Sequence, residues 1–212
     1  MAGLFVTFEG MEGCGKSTQA KMLKRKLEKE GHRVVLTREP GGTKVGERIR
    51  EVLLDTRLRS MEPLTELFLY LASRAQHVQE LIRPALADGA IVISDRFADA
   101  SLAYQGAGRG IDISLVAKLN EAATLGLEPD YTVLLDLPVE LGLKRMSARV
   151  GGKRKQDRIE KEQFQFHVRV REGYLTLARK SRGRIEVFDG TRDRKELAGK
   201  IFERVNRIMK GK

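Results

Sequence analysis

Glu9-Gly10-Met11-Glu12-Gly13-Cys14-Gly15-Lys16-Ser17-Thr18 is the stretch on which the fold turns. Ahead of it, Leu4 to Phe8 is a short, β-prone apolar run. Behind it, Gln19 to Glu30 sets Ala20, Leu23 and Leu27 at helical spacing before Gly31 stops the helix. Gly-x-x-x-x-Gly-Lys-Ser between a strand and a helix reads as a phosphate-binding loop, or P-loop. Its glycines let successive backbone N–H groups turn inward around phosphate oxygens, and the helix N-terminus adds partial positive charge. Gly10, Met11, Glu12, Gly13, Cys14, Gly15, Lys16, Ser17 and Thr18 are therefore candidate contacts to the phosphates of a nucleoside triphosphate. Lys16 supplies a mobile cation for the β- and γ-phosphates, and the Ser17 hydroxyl can take one Mg²⁺ position.

Working outward, 212 residues suffice for one well-buried α/β domain and are short for two, so residues 1–212 read as a single domain. Hydrophobic content of 41% and charged content of 33% describe a globular chain, with no run near the ~20 apolar residues of a membrane span. One cysteine, Cys14, excludes an internal disulfide and fits a reducing, cytoplasmic setting. Its place near a helix N-terminus favours thiolate, so either a reactive thiol protected by Mg-ATP or a small buried filler is expected. His32, His77 and His167 lack metal-ligand spacing and read as ordinary surface or core residues. Residues 144–212 hold 22 Lys+Arg against 9 Asp+Glu, whereas residues 1–143 hold 18 against 20. The basic last third has two readings, a nucleic-acid face or solvated helices plus arginines that meet polyphosphate.

Downstream, Val34 to Thr37 reads as a second strand, followed by the loop Arg38-Glu39-Pro40-Gly41-Gly42-Thr43, with Thr43 capping a helix to about Leu54. A helical pattern runs from about Pro63 to Ala87, with Pro84 set to interrupt it. Tyr70 and Arg74, four apart, fall on one side of it. Such a pair can sandwich and hydrogen-bond a base, or form a modest exposed cation–π contact. Ile91-Val92-Ile93 is a buried-strand run ending in Ser94-Asp95-Arg96. Asp95 there suits Mg²⁺ or its water, with Arg96 reaching anionic substrate oxygens; a structural ion pair is the alternative. Ser101 to Gly110, with three glycines, reads as a binding loop. Then come a helix over Ile113 to Leu125, the strand Tyr131 to Asp136, and a helix from Pro138 to about Met146. Residues 149–158 carry five cations and almost no apolar content, which predicts a mobile lid. A helix from about Glu160 to Lys180, a strand Arg184 to Phe188 and a helix from about Arg194 complete the chain. Five strands alternating with helices predict an α/β P-loop NTPase fold, a parallel sheet covered on both faces.

The Asn-Lys-x-Asp signature of a guanine-specific GTPase is missing. An arginine-rich lid after the fourth strand suits instead a kinase that closes over two anionic substrates and excludes water. Across its whole length the chain resembles bacterial thymidylate kinases, on an ordered set of motifs. These are the P-loop, Thr37-Arg38-Glu39-Pro40-Gly41-Gly42-Thr43, Leu71-Ala72-Ser73-Arg74-Ala75-Gln76, Asp95-Arg96-Phe97, Ala103-Tyr104-Gln105-Gly106-Ala107-Gly108-Arg109-Gly110 and Asp157-Arg158-Ile159-Glu160.

The resemblance implies the nucleoside monophosphate kinase fold and transfer of the ATP γ-phosphate to dTMP, giving dTDP and ADP on the way to dTTP, with Mg²⁺. It implies Tyr70 stacking on thymine in place of the family's usual Phe, and Arg74 hydrogen-bonding the base. Ser101, Tyr104 and Gln105 then line the thymidine pocket, Arg96 contacts the acceptor phosphate, and Glu12 lies near the sugar and Mg²⁺. One group of the family carries a catalytic basic residue inside the P-loop. Here that position is Gly13, so the resemblance is to the group whose arginine comes from the lid, Arg149, with Arg158 as a second lid arginine. Catalysis is thus expected of Lys16, Arg96, Arg149 and Glu12, and metal binding of Ser17 and Asp95. Family members are usually homodimers; no membrane or nucleic-acid partner is implied. A kinase of another nucleoside monophosphate or small acceptor, and a nucleic-acid-stimulated NTPase, are the alternatives.

Overall fold

The structure, a computed structural model, describes residues 3–150, 157–181 and 183–211, with the side chains of residues 149 and 150 outside that description. Its frame is a five-stranded parallel sheet: β1 (Leu4–Glu9), β2 (Val34–Arg38), β3 (Ile91–Asp95), β4 (Tyr131–Asp136) and β5 (Ile185–Asp189), in the order β2-β3-β1-β4-β5. Every residue of β1 is buried, as a central strand covered on both faces requires.

On β1, Leu4, Val6 and Phe8 enter one core with Leu23 and Leu27 of α1 (Lys16–Lys29) and Ile201 and Val205 of α9 (Arg194–Lys210). Phe5 enters a second core with Val92, Val78, Ile82 and Phe97. Glu9, in phase with Phe5 on the pleat, lies beneath α8 (Phe164–Lys180), where Tyr174 meets it. A third core joins Ala103, Tyr104 and Leu134 to Phe166, Val170 and Tyr174 of α8.

The register sets Phe8 opposite Asp95 and Arg38 opposite Asp95, so β1, β2 and β3 end side by side. The neighbours of β1 are β3 and β4. The crevice beyond this carboxyl edge, where connections diverge to either side, is where parallel sheets hold ligands.

The remaining elements are α2 (Lys44–Leu54), α3 (Pro63–His77), α4 (Arg83–Ala87), α5 (Ala98–Ser101), α6 (Ile113–Thr124) and α7 (Val139–Val150). Thr43 caps α2 as expected, its hydroxyl accepting from the Gly46 N–H at 3.0 Å. The long helical pattern is divided by a π-helical segment, Val78–Ile82, leading to Pro84 at the start of α4. The wider turn accommodates the proline ring without ending the helical course.

Two expectations are corrected. Ser101 to Gly110 is no open loop: α5 runs directly into a π-helical segment, Leu102–Gly108, packed on α8. The glycines serve contact there, since a Cβ on Gly108 would stand 2.8 Å from Phe166 and one on Gly173 2.7 Å from Ala107. The helix expected from Glu160 begins only at Phe164. Asp157 and Glu160 close a turn instead, each side chain accepting the other's backbone N–H at 3.1 and 2.9 Å. Residues 151–156 of the expected lid lie outside the described residues, and the backbone of Arg149 closes α7.

Candidate active site

The P-loop leaves β1 through Gly10, Gly13 and Gly15, whose φ values of 131°, 77° and 101° are those a side chain resists. Gly13 is also pressed against α7, where a Cβ would fall 2.2 Å from the Gly142 carbonyl oxygen. Lys16 folds back so that Nζ donates to the Met11 carbonyl at 2.8 Å. Ser17 donates to Asp95, joining P-loop and β3 at the two residues expected to hold Mg²⁺. Cys14 is 2% exposed and packs in the core beneath the loop, the buried-filler alternative.

A cavity of about 220 Å³ opens above the loop. Glu12, Gly13, Lys16 and Ser17 form its floor, and Asp95 and Arg96 follow from β3. Tyr70 of α3 lines it together with Ser101, Tyr104 and Gln105. The candidate donor and acceptor residues thus share one space.

Arg96 is the hinge of this arrangement. Its φ of 75° is uncommon for a residue with a side chain. The strain is held by its N–H to the Phe8 carbonyl at 3.0 Å and by the Ser94 hydroxyl on its own carbonyl at 2.7 Å. Nη1 donates to the Gly10 carbonyl at 2.9 Å and to the Tyr174 hydroxyl at 3.0 Å. Nη2 donates to Glu12 at 2.7 Å and to the Tyr104 hydroxyl at 2.8 Å. Burial opposes charge on Glu12, but Arg96, Lys16 and the Tyr104 hydroxyl outweigh it and hold its carboxyl below the usual range. Beneath, Glu9 accepts from the Phe97 N–H at 2.7 Å and the Tyr174 hydroxyl at 2.6 Å. Burial and the neighbouring Asp99 push the Glu9 carboxyl up to about 7.

Two of the expected site arginines are held by partners that the sequence does not announce. Arg74 does not pair with Tyr70; its guanidinium is 1% exposed and lies 5.6 Å from the Phe97 ring centre. It donates to Glu39 at 2.7 Å, Ser101 at 2.9 Å, Asn120 at 2.6 Å and the Phe97 carbonyl at 2.9 Å. Four of its five N–H groups are engaged among the described residues, two of them with Ser101 and Glu39, which line the cavity. Arg158, expected as a second lid arginine, is bound to α2 and α3. Nε donates to the Leu53 carbonyl at 3.0 Å and Nη2 pairs with Glu66 at 2.6 Å. The Arg149 side chain lies outside the described residues.

Sequence reasoning passed over Arg38 and Arg50, which also line the cavity. Burial and the Arg38 charge beside it lower the proton affinity of Arg50, whose Nη1 donates to the Pro40 carbonyl at 2.8 Å. Arg38 itself pairs with both carboxylate oxygens of Glu47, at 2.9 and 2.8 Å. Arg38 sat inside a motif read mainly as a turn, and nothing in helix periodicity marks Arg50. His77, fully buried, is an ordinary core histidine bonded to Thr37 at 2.7 Å and Glu39 at 3.0 Å.

A sequence profile of the family described as Thymidylate kinase matches residues 8–201. The chain belongs to the thymidylate kinase family. A Thymidylate kinase of Geotalea daltonii is 53% identical over 191 residues, 89% of each chain. One of Desulfosudis oleivorans is 51% identical over 208 residues, 97% of each. The crystal structure of thymidylate kinase from Ehrlichia chaffeensis superposes with a TM-score of 0.77 at 33% identity, covering 97% of this chain and 99% of that one. The P-loop nucleoside monophosphate kinase fold expected of the family is therefore the fold observed.

Proposed function

We propose that the single cavity holds both substrates of a dTMP kinase, ATP phosphates over Lys16 and Ser17 and dTMP between Tyr70 and Gln105. The chain is a thymidylate kinase, an enzyme of nucleotide biosynthesis that transfers the γ-phosphate of ATP to dTMP. The observation that carries this assignment is the continuity of the space from the P-loop to Tyr70, Ser101, Tyr104 and Gln105. A phosphate acceptor seated there shares one space with the donor, so positioning and charge neutralisation would supply most of the catalysis.

In this reading the P-loop amides and Lys16 hold the donor phosphates. Arg96 spans P-loop and acceptor side and stabilises charge on the transferring group, with Glu12 and Tyr104 holding its fork in place. Arg50 and Arg38, the latter held by Glu47, receive the dTMP phosphate. Tyr70 stacks on the base, and Arg74 braces Ser101 against it. Arg149 supplies the lid arginine by resemblance.

Magnesium fits this site through Ser17 and Asp95. A hydroxyl and a carboxylate that bond each other at the cavity floor match an ion that takes few protein ligands and completes its sphere with phosphates and water. Among the described residues no group of three or more His, Cys, Asp or Glu could hold a metal alone, in keeping with a metal carried in by ATP. When bound, Mg²⁺ would offset charge on the β- and γ-phosphates.

We also infer a homodimer: α3 exposes Leu64 and Phe68, and α6, which packs beside it, exposes Ile113 and Leu115. Those apolar groups would be covered by a second copy, and light scattering that reads monomer mass would reject this. Among the described residues no helix is long and apolar enough to cross a membrane, which suits work on the cytoplasmic nucleotide pool. The test of function is ADP release from Mg-ATP across a panel of nucleoside monophosphates. dTMP should be strongly preferred; equal activity with every acceptor, or activity only with polynucleotide, would overturn the assignment.

A further inference from the structure

Glu66 lies on α3, one turn before Tyr70, and is fully buried. It is an unusual place for a carboxylate, and two donors and a further cation from two other segments account for it. Gln105 Nε2 donates to Oε1 at 2.8 Å. Arg109 donates to Oε1 at 3.2 Å and Oε2 at 3.0 Å. Arg158 pairs with Oε2 at 2.6 Å. Burial opposes ionisation, but Arg109, Gln105 and Arg158 outweigh it and keep the carboxyl below its usual range.

An ionised carboxylate accepts hydrogen bonds and donates none. Gln105 must therefore turn its NH₂ toward Glu66. A glutamine amide is otherwise a two-faced group, able to present donor or acceptor by a half-turn about its last torsion. Here the half-turn would set Oε1 against Glu66, two acceptors face to face in a buried site. Gln105 lines the cavity, and no donor among the described residues reaches its Oε1.

We infer that Glu66 is a positioning residue for specificity: it fixes Gln105 so that the cavity meets a carbonyl acceptor, selecting a pyrimidine with a protonated N3. Thymine and uracil carry an N3–H that satisfies Oε1. Cytosine presents a bare N3 lone pair there and leaves two acceptors opposed, the kind of mismatch that a buried polar site rejects strongly. This role of Glu66 rests on the cavity being the dTMP site.

The test is kcat/KM with dTMP, dUMP and dCMP for the wild type, Glu66→Gln, Glu66→Asp and Gln105→Met. In Glu66→Gln the new amide can offer either face, so Gln105 is released. The dTMP-to-dCMP ratio should fall about 10-fold or more, while the dTMP-to-dUMP ratio, both bases bearing N3–H, should stay constant. Glu66→Asp keeps the acceptor-only charge and should retain both ratios. If Glu66→Gln does not fold because Arg158 loses its counter-charge and Arg109 keeps only Glu162, Gln105→Met leaves those pairs intact and should lower the same single ratio. An unchanged dTMP-to-dCMP ratio in Glu66→Gln, or an equal fall of both ratios, overturns the role of Glu66; an unchanged ratio in Gln105→Met overturns the role of Gln105 and that of Glu66 with it. A wild type inactive on dTMP overturns the dTMP site itself, and this role with it.

Discussion

Arg96 Nη2 stands 2.7 Å from Glu12 Oε1, and the Tyr104 hydroxyl lies within 2.8 Å of the one and 2.7 Å of the other. A P-loop carboxylate, an arginine from the end of β3 and a tyrosine from the π-helical segment thus form a closed triangle at the cavity wall. The triangle fixes the guanidinium, so in the role proposed for Arg96 no reorganisation would be needed as charge develops. Arg96→Gln should lower kcat by about 10²- to 10³-fold with a smaller change in KM for ATP. Tyr104→Phe, which loosens the fork and keeps its charge, should fall between that variant and wild type. Steady-state kinetics with both substrates varied checks this; a kcat within a factor of about two of wild type for Arg96→Gln would remove Arg96 from the reaction.

Ser17 bonded to Asp95 makes a prediction about the metal rather than the nucleotide. Asp95→Asn keeps the shape and a hydrogen-bond acceptor but loses the charge that Mg²⁺ or its water would meet. The Mg²⁺ concentration for half-maximal activity should rise about tenfold or more, with partial recovery of kcat at high Mg²⁺. An unchanged Mg²⁺ titration would leave Asp95 a structural partner of Ser17 only.

Much of this was legible in the chain, and the exceptions have a common physical cause. The P-loop, the strand ends and the Thr43 cap follow from backbone demands that only certain residues meet. Tyr70, Ser101, Tyr104 and Gln105 could be assigned by motif, and they do converge on one cavity. Arg74 and Arg158 take partners that the motifs do not announce, because an arginine's reach is not encoded locally. Their destinations, Glu39 and Glu66, lie 35 and 92 positions away and are set by tertiary packing. The π-helical turns at 78–82 and 102–108 were equally hidden. Their widened hydrogen-bonding reflects packing on Pro84 and α8, whereas the local sequence of the second, rich in glycine, reads as loop.

Cys14 offers a check on burial. With Sγ in the core beneath the P-loop and 2% exposure, the thiol should react slowly with an aromatic disulfide reagent in the native protein. One thiol should appear at full rate in guanidinium chloride. Rapid native labelling that Mg-ATP suppresses would mean that the loop opens in solution.

Gly13 and Gly31 separate two costs that a glycine can hide. Both have positive φ, 77° and 88°, but a Cβ on Gly31 meets nothing within 4 Å, while one on Gly13 lies 2.2 Å from the Gly142 carbonyl oxygen. Gly31→Ala should cost about 1 kcal/mol for the left-handed backbone alone. Gly13→Ala adds overpacking against backbone and should cost roughly 3 kcal/mol in all, as well as displacing the loop. Urea unfolding of the two variants measures the difference; equal values would mean that α7 yields without strain.

Glu9 gives the pH dependence of stability. Burial first, then Asp99, raises its carboxyl from an ordinary 4.5 to about 7 in the folded protein. Between those values the native state holds a proton that the unfolded chain has released, so stability declines as pH rises through the window. The contribution is fully present below about pH 4.5 and gone above about pH 7, a loss of roughly 3 kcal/mol for a group this buried. Glu9→Gln mimics the protonated form. Its Oε1 can accept the Phe97 N–H, and the Tyr174 hydroxyl can turn to accept from its Nε2. The variant should therefore match wild type near pH 4.5 and exceed it near pH 8. Denaturant midpoints across that range read the slope directly. A wild-type profile no steeper than that of Glu9→Gln would show that Glu9 is ionised throughout and that Arg96 and Tyr174 hold its charge.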